Sequence, residues 1–207
     1  MELIGSGITD GIAIGSVYKY SPTEVHIEHT TLKPEEIASA ISDYQGAQKA
    51  AYEELELLHK TMSLTAPDKA EIFAAHMDIV TDEEINEQIL SAIRESHMNV
   101  LWAVSSIYNE MERTLAGAGD PTIRERSADI ADVCQRLLRL LSGKTCASLA
   151  DLPFPCILVA FDLFPSDAAA IDKTNLLGMI TEQGGITSHT AIIAKTYGIP
   201  AVLGVSG

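Results

Sequence analysis

Basic residues are scarce in this chain. Lys and Arg number 14 against 29 Asp and Glu, for a formal charge of −15 at pH 7. That deficit argues against nucleic acid as a partner, because neutralising a run of phosphates takes a basic surface. The same charge would speed encounter with a basic protein, although merely solvated acidic helix faces give the same count. Cysteine is also rare. Cys134, Cys146 and Cys156 are odd in number, lack C-x-x-C spacing and sit among apolar residues, so they read as buried free thiols rather than a disulfide framework. No apolar run approaches a membrane span, and no basic region precedes a hydrophobic stretch at the amino terminus. The chain is therefore expected to be cytoplasmic, with no membrane partner. The 207 residues are 46% hydrophobic, which argues against disorder and suffices for one large or two modest domains.

Along the chain, residues 2–20 read as two short strands punctuated by Gly5, Gly7, Gly11 and Gly15. Two strands cannot bury enough surface alone, and nothing strand-like follows until about residue 150. The intervening stretch is helical. The first helix opens near Pro34 and carries Ile37, Ile41, Tyr44, Gln48, Ala51, Leu55, Leu58 and Met62 as a bundle seam with one polar interruption. A second spans about Asp68 to Val80. A third opens on Thr81-Asp82-Glu83-Glu84, read as a capping box between Thr81 and Glu84. A fourth runs from about Asn99 to Leu115 and stops at Gly117. The fifth starts at Asp120-Pro121 and ends before Gly143. From Leu149 onward the pattern alternates: a strand at Cys156–Ala160, a helix at Pro165–Ile171, a strand at Leu176–Ile180, a helix, and a strand at Ala201–Val205. The simplest fold is α/β plus all-α. The amino-terminal strands join a carboxy-terminal sheet, giving a discontinuous α/β domain over 1–20 and 147–207, with a helical bundle over 33–143 inserted between its parts.

The segment ahead of the last strand carries the chemistry. Gly184-Gly185-Ile186-Thr187-Ser188-His189-Thr190-Ala191 puts a histidine at a helix start beneath a glycine turn, and the helix closes on Gly198 with Pro200 beyond. Paired glycines let backbone amides approach a ligand, and Thr187 or Ser188 is suited to cap the helix. First-turn N–H groups lack intrahelical partners and attract an anion. A neutral imidazole is a nucleophile near pH 7, so His189 is placed to accept a phosphoryl group. Gly184, Gly185, Thr187, Ser188 and Thr190 are its candidate phosphate-site support, though each hydroxyl serves equally as a cap and each glycine as a turn. Lys195, six residues beyond His189, falls on another helix face and reads as structural or partner-facing. His26 and His29 form an H-x-x-H pair without Cys or further ligands nearby, and no metal site is assigned.

The run from Gly184 to Gly204 resembles the active-site pattern of the PEP-utilising phosphohistidine domains, which include enzyme I of the bacterial PEP:sugar phosphotransferase system, pyruvate phosphate dikinase and PEP synthase. It departs from that pattern at Lys195, where Arg is more usual. The inserted bundle is similar to enzyme I, whose swivelling β/β/α phosphohistidine domain is interrupted by a helical domain, and not to the dikinase. Arg124-Glu125-Arg126, Ala128-Asp129-Ile130, Ile72-Phe73 with His76, and Asp82-Glu83-Glu84 also match enzyme I.

The resemblance implies a phosphoryl relay from PEP to Nε2 of His189 and on to a histidine of the small basic phosphocarrier HPr. By position, Lys69, His76, Asp82, Glu83, Glu84 and Arg126 fall on the HPr-binding surface, while first-turn acids at a helix start and pairing of Arg126 with Glu125 or Asp129 are the ordinary alternatives. The family's PEP- and Mg²⁺-binding barrel has no counterpart in these residues. This portion is therefore expected to need no cofactor, to exchange phosphate with HPr alone and to be a monomer, whereas the full-length enzyme uses Mg²⁺ and is a homodimer. Asp162-Leu163-Phe164-Pro165-Ser166-Asp167-Ala168 departs from the enzyme I segment, with Phe164 and Ala168 in place of threonines, the second of which lies beside the active histidine in the family. Two other readings stay open: the phosphohistidine domain of a PEP synthase or dikinase-like enzyme, and a non-catalytic relative that binds HPr.

Overall fold

A computed structural model describes residues 4–21, 25–65, 67–144, 149, 152–171, 173–186 and 188–206, with the side chains of residues 65, 68, 69, 169 and 189 outside that description. The chain divides into two compact units, one made of Met1–Pro22 with Cys146–Gly207 and the other of Thr23–Thr145. Mixed α/β architecture with a helical insertion is what the periodicities predict.

The first unit holds β1 (Ile4–Thr9), β2 (Ser16–Tyr20), β3 (Cys156–Ala160), β4 (Leu176–Thr181) and β5 (Ala201–Ser206) in the order β1-β5-β4-β3-β2. Strands β2 to β5 are parallel, and β1 runs antiparallel against β5 at one edge. The two amino-terminal strands thus take opposite edges of the sheet instead of pairing with each other. Parallel neighbours need a crossover, which helices α6 (Pro165–Ala170) and α7 (His189–Tyr197) supply. Alternation along β3 buries Cys156, Leu158 and Ala160. These join Tyr20, Leu176, Met179 and Ala201 from the sheet, and Ala168, Ile171, Ile193 and Ala194 beside the crossovers, in one core. Both helices begin where a parallel strand has ended, so their amino termini lie at the carboxyl edge of the sheet, where open α/β sheets bind ligands.

The second unit is a bundle of α1 (Ile37–Thr65), α2 (Pro67–Thr81), α3 (Glu83–Arg94), α4 (Val100–Ala116) and α5 (Pro121–Ser142). A single 3-10 turn, Pro34–Glu36, leads into α1, with the Glu36 carboxylate accepting from the Lys33 N–H at 2.8 Å. Tyr44, Ala51 and Leu55 are buried along the α1 seam, and its polar interruption is satisfied. Gln48 Nε2 donates to the Val80 carbonyl at 3.0 Å, one of the orphan carbonyls at the end of α2. Asn86 Nδ2 donates to the same oxygen at 3.2 Å and accepts from the Tyr44 hydroxyl. Asn99 and Asp120 cap α4 and α5, and Gly143 closes α5 in the left-handed conformation.

One cap differs from its expectation. Thr81 is still the last residue of α2, its hydroxyl donating to the Met77 carbonyl at 2.9 Å, so it forms no capping box with Glu84. Asp82 is the cap of α3 instead, its Oδ1 accepting from the Ile85 N–H at 2.9 Å. A threonine already committed to the preceding helix has no free geometry for the next one. Of the three cysteines, Cys134 and Cys156 are buried free thiols, while Cys146 lies outside the described residues.

Candidate functional site

The site is assembled at the end of β4. After Thr181 the chain turns through Glu182 and Gln183, whose N–H groups donate to the carbonyls of Ala160 and Phe161 at 3.2 and 2.8 Å. These bonds tie the loop to the neighbouring strand end. Gly184 then takes φ +97°, a conformation other residues rarely adopt. A Cβ there would sit 3.3 Å from Ser188 Oγ, so the glycine also makes room for the helix cap. The Ser188 N–H donates to the Gly185 carbonyl at 3.0 Å, and Ser188 Oγ accepts from the Ala191 N–H at 3.2 Å. Of the two capping alternatives, Ser188 caps α7, whereas Thr187 lies outside the described residues. His189 is the first residue of α7. Its imidazole lies outside the described side chains.

Two residues near His189 sit differently from their sequence expectation. Thr190 is buried, 1% exposed, next to fully buried Ala191, so its side chain packs inward instead of lining the open end of the helix. Lys195 is not turned away from the loop: Nζ reaches back to the Ile186 carbonyl at 3.4 Å, bringing a cation to the segment that precedes the helix. Its long flexible stem defeats the argument from helical spacing. In the neighbouring crossover, Ala168 is fully buried, Phe164 precedes the first turn of α6 without a side-chain cap, and the Tyr20 hydroxyl donates to Asp167 Oδ1 at 2.9 Å.

In the bundle, Asp82, Glu83, Glu84 and Arg126 are exposed. A cavity of about 650 Å³ is lined by Thr81, Glu83, Glu84, Asn86, Glu87 and Leu90. The Lys69 side chain lies outside the described residues. His76 is not on a surface: it is fully buried, with Nε2 3.2 Å from Asp129 Oδ1 and Nδ1 3.9 Å from Asp132 Oδ2. The α2 stripe of Ala70, Phe73, His76 and Val80 holds the reason, since these positions share one helix face and the other three are buried apolar residues. Asp129 is thereby engaged with His76, not with Arg126. Among the described residues no group of three or more His, Cys, Asp or Glu comes together as a metal-binding set. No helix there is long and apolar enough to cross a membrane.

The α/β crossover fold with a glycine turn and a capped histidine helix defines a class that comparison with known proteins makes explicit. The family model for the N-terminal part of PEP-utilising enzymes matches residues 4–126, and that for their mobile domain matches residues 152–207. The chain belongs to the PEP-utilising enzyme family. It is 31% identical over 204 residues to the phosphoenolpyruvate-protein phosphotransferase of Haemophilus influenzae, covering 97% of this chain and 36% of that protein. Against the phosphoenolpyruvate-protein phosphotransferase of Listeria monocytogenes the identity is 33%, over 98% of this chain and 35% of the relative. The chain thus spans about a third of the length of these curated relatives. An NMR solution structure of an Enzyme I protein (nEIt) superposes with a TM-score of 0.84 at 32% identity, covering 98% of this chain and 82% of that one.

Proposed function

We propose that this chain is the phosphocarrier portion of a PEP–protein phosphotransferase, with His189 as the acceptor that takes a phosphoryl group originating from PEP and passes it to a histidine of HPr. The observation that carries this reading is the placement of the Gly184–Gly204 string: its histidine opens a helix capped by Ser188, at the carboxyl edge of a parallel sheet. The positive end of α7, with the first-turn N–H groups beyond the one that Ser188 Oγ takes, favours the anionic phosphoryl group. A neutral imidazole attacks phosphorus; a P–N bond forms as the bond to the donor breaks, and the reverse unloads the group onto the partner. Little covalent help is required from the protein, and positioning with charge stabilisation supplies most of the effect.

The exposed acids Asp82, Glu83 and Glu84, with Arg126, form the proposed face for the basic partner, and Lys69 is assigned to it by position. His76 acts in this reading as a buried strut between α2 and α5, not as a contact. PEP and Mg²⁺ chemistry is assigned in this reading to the carboxy-terminal barrel of the full-length enzyme. The non-catalytic alternative rests on fully buried Ala168, where the family places a threonine beside the histidine. Mixing the chain with phosphorylated HPr separates the two. The carrier reading expects one acid-labile, base-stable phosphoryl adduct, lost in His189→Ala; HPr binding without any adduct refutes it in favour of a scaffold.

A further inference from the structure

Strand β5 carries an irregularity in its ladder with β1. Its ladder with β1 pairs Ser6 with Leu203 and Ile4 with Ser206, so β5 spends one residue more than β1 over that stretch. The extra residue is a bulge, and Gly204 within it takes φ +66°. A bulge with a left-handed glycine costs ladder pairing, and such features persist where they re-aim the chain toward something else. Here the target is the glycine turn: a Cβ on Gly204 would stand 3.2 Å from the Gly184 carbonyl oxygen, a separation that forces the neighbour to give by a few tenths of an ångström.

That oxygen is a consequential place to push. The Gly184 carbonyl and the Gly185 N–H are two ends of one planar peptide, so displacing the oxygen turns the amide at the other end. The Gly185 carbonyl accepts from the Ser188 N–H, and Ser188 Oγ accepts from the Ala191 N–H. Gly184 itself has Ser188 Oγ within 3.3 Å of the position its Cβ would fill. A continuous line of close contacts thus runs from the β5 bulge through the glycine turn to the cap of α7, where His189 begins.

We propose that Gly204 is a positioning residue for the His189 site: its missing side chain lets the β5 bulge seat the Gly184–Gly185 peptide, which sets the angle of the α7 amino terminus. This rests on His189 as the phosphoryl acceptor. It adds a determinant fifteen residues downstream of the acceptor.

The test compares three variants of the chain. Gly204→Ala adds both the Cβ and the strain of a left-handed backbone. Gly204→Asn adds the Cβ with little strain, since Asn tolerates that region, and so keeps the question answerable if the alanine variant folds poorly. Gly198→Ala is the control. It has φ +64° but nothing within 4 Å of its Cβ, so it imposes strain on the same unit without the push. Phosphate uptake from phosphorylated HPr is measured alongside hydrogen exchange at the Ala191 amide. Both Gly204 variants are expected to slow uptake by about tenfold or more, a small misplacement of the acceptor being enough. They should also speed Ala191 exchange, while Gly198→Ala stays within about twofold on both. Gly204→Asn indistinguishable from Gly198→Ala on the two readouts overturns the inference. A wild-type chain that takes up no phosphate overturns the acceptor reading instead, and exchange at Ala191 then still decides whether Gly204 sets the loop.

Discussion

At the scale of single residues, Ser188 joins the fold to the chemistry, because the hydroxyl that caps α7 stands immediately before the proposed acceptor. Ser188→Ala is expected to destabilise the α/β unit by about 1 kcal/mol, the usual worth of an N-cap, seen as a lower urea midpoint. Ser188→Asp keeps a capping oxygen but places a negative charge where the phosphoryl group must arrive. It should retain the midpoint while slowing phosphate uptake. Equal stability and equal uptake in the aspartate variant would show that the group does not bind at this terminus. The Cys134 thiol offers a separate check in the bundle. Burial, with a smaller contribution from Glu112, lifts it from its ordinary 9.0 to about 12. Its folded pKa exceeds its unfolded one, so its contribution is fully present below pH 9 and disappears as pH rises toward 12. Burial also pushes Tyr44 and Tyr108 upward from 10.0, adding to the same alkaline loss. Urea unfolding between pH 9 and 12 should show steadily falling stability, with a shallower slope in Cys134→Ala. A flat profile would contradict the buried, uncharged thiol.

At the scale of elements, periodicity and punctuation read well from sequence, and side-chain partnership read poorly. The Asp120-Pro121 start and Gly143 stop of α5 are local chemistry, and the structure has them as read. The capping box read at Thr81 places the start of α3 one residue early, because Thr81 and Asp82 are both good cap types and only the continuation of α2 through Thr81 gives the cap to Asp82. Asp82→Ala should therefore cost about 1 kcal/mol and Thr81→Ala only a few tenths, measured by urea unfolding of the bundle. The reverse order would restore the capping box. The burial of His76 is legible in its sharing a stripe with Phe73 and Val80, whereas the resemblance by position implies a partner surface. The meeting of His76 on α2 with Asp129 and Asp132 on α5 joins residues more than fifty positions apart, which no spacing rule foresees. His76→Ala is expected to lower bundle stability by about 3 kcal/mol, as removal of one member of a buried polar pair does. Unchanged stability with weakened HPr association would return His76 to the contact surface.

At the scale of the whole molecule, the chain is two compact units built from three sequence segments. Opposite-edge placement of β1 and β2 was not readable from their sequences, because strand order depends on which neighbours the crossovers leave open. The bundle is continuous in sequence and owns a core that includes Tyr44, Leu55, Phe73, Ile89 and Leu137. Residues 23–145 expressed alone should consequently be helical by circular dichroism and unfold in one cooperative transition. A non-cooperative melt would show that the bundle depends on the α/β unit. In the other unit, phosphoryl transfer turns on one ring nitrogen. The most direct measurement is phosphorus–nitrogen coupling in NMR spectra of the ¹⁵N-labelled chain after incubation with phosphorylated HPr. A single coupled site at Nε2 of His189 is expected; coupling at any other histidine, or phosphate turnover with His189 unmodified, would rule out His189 as the acceptor.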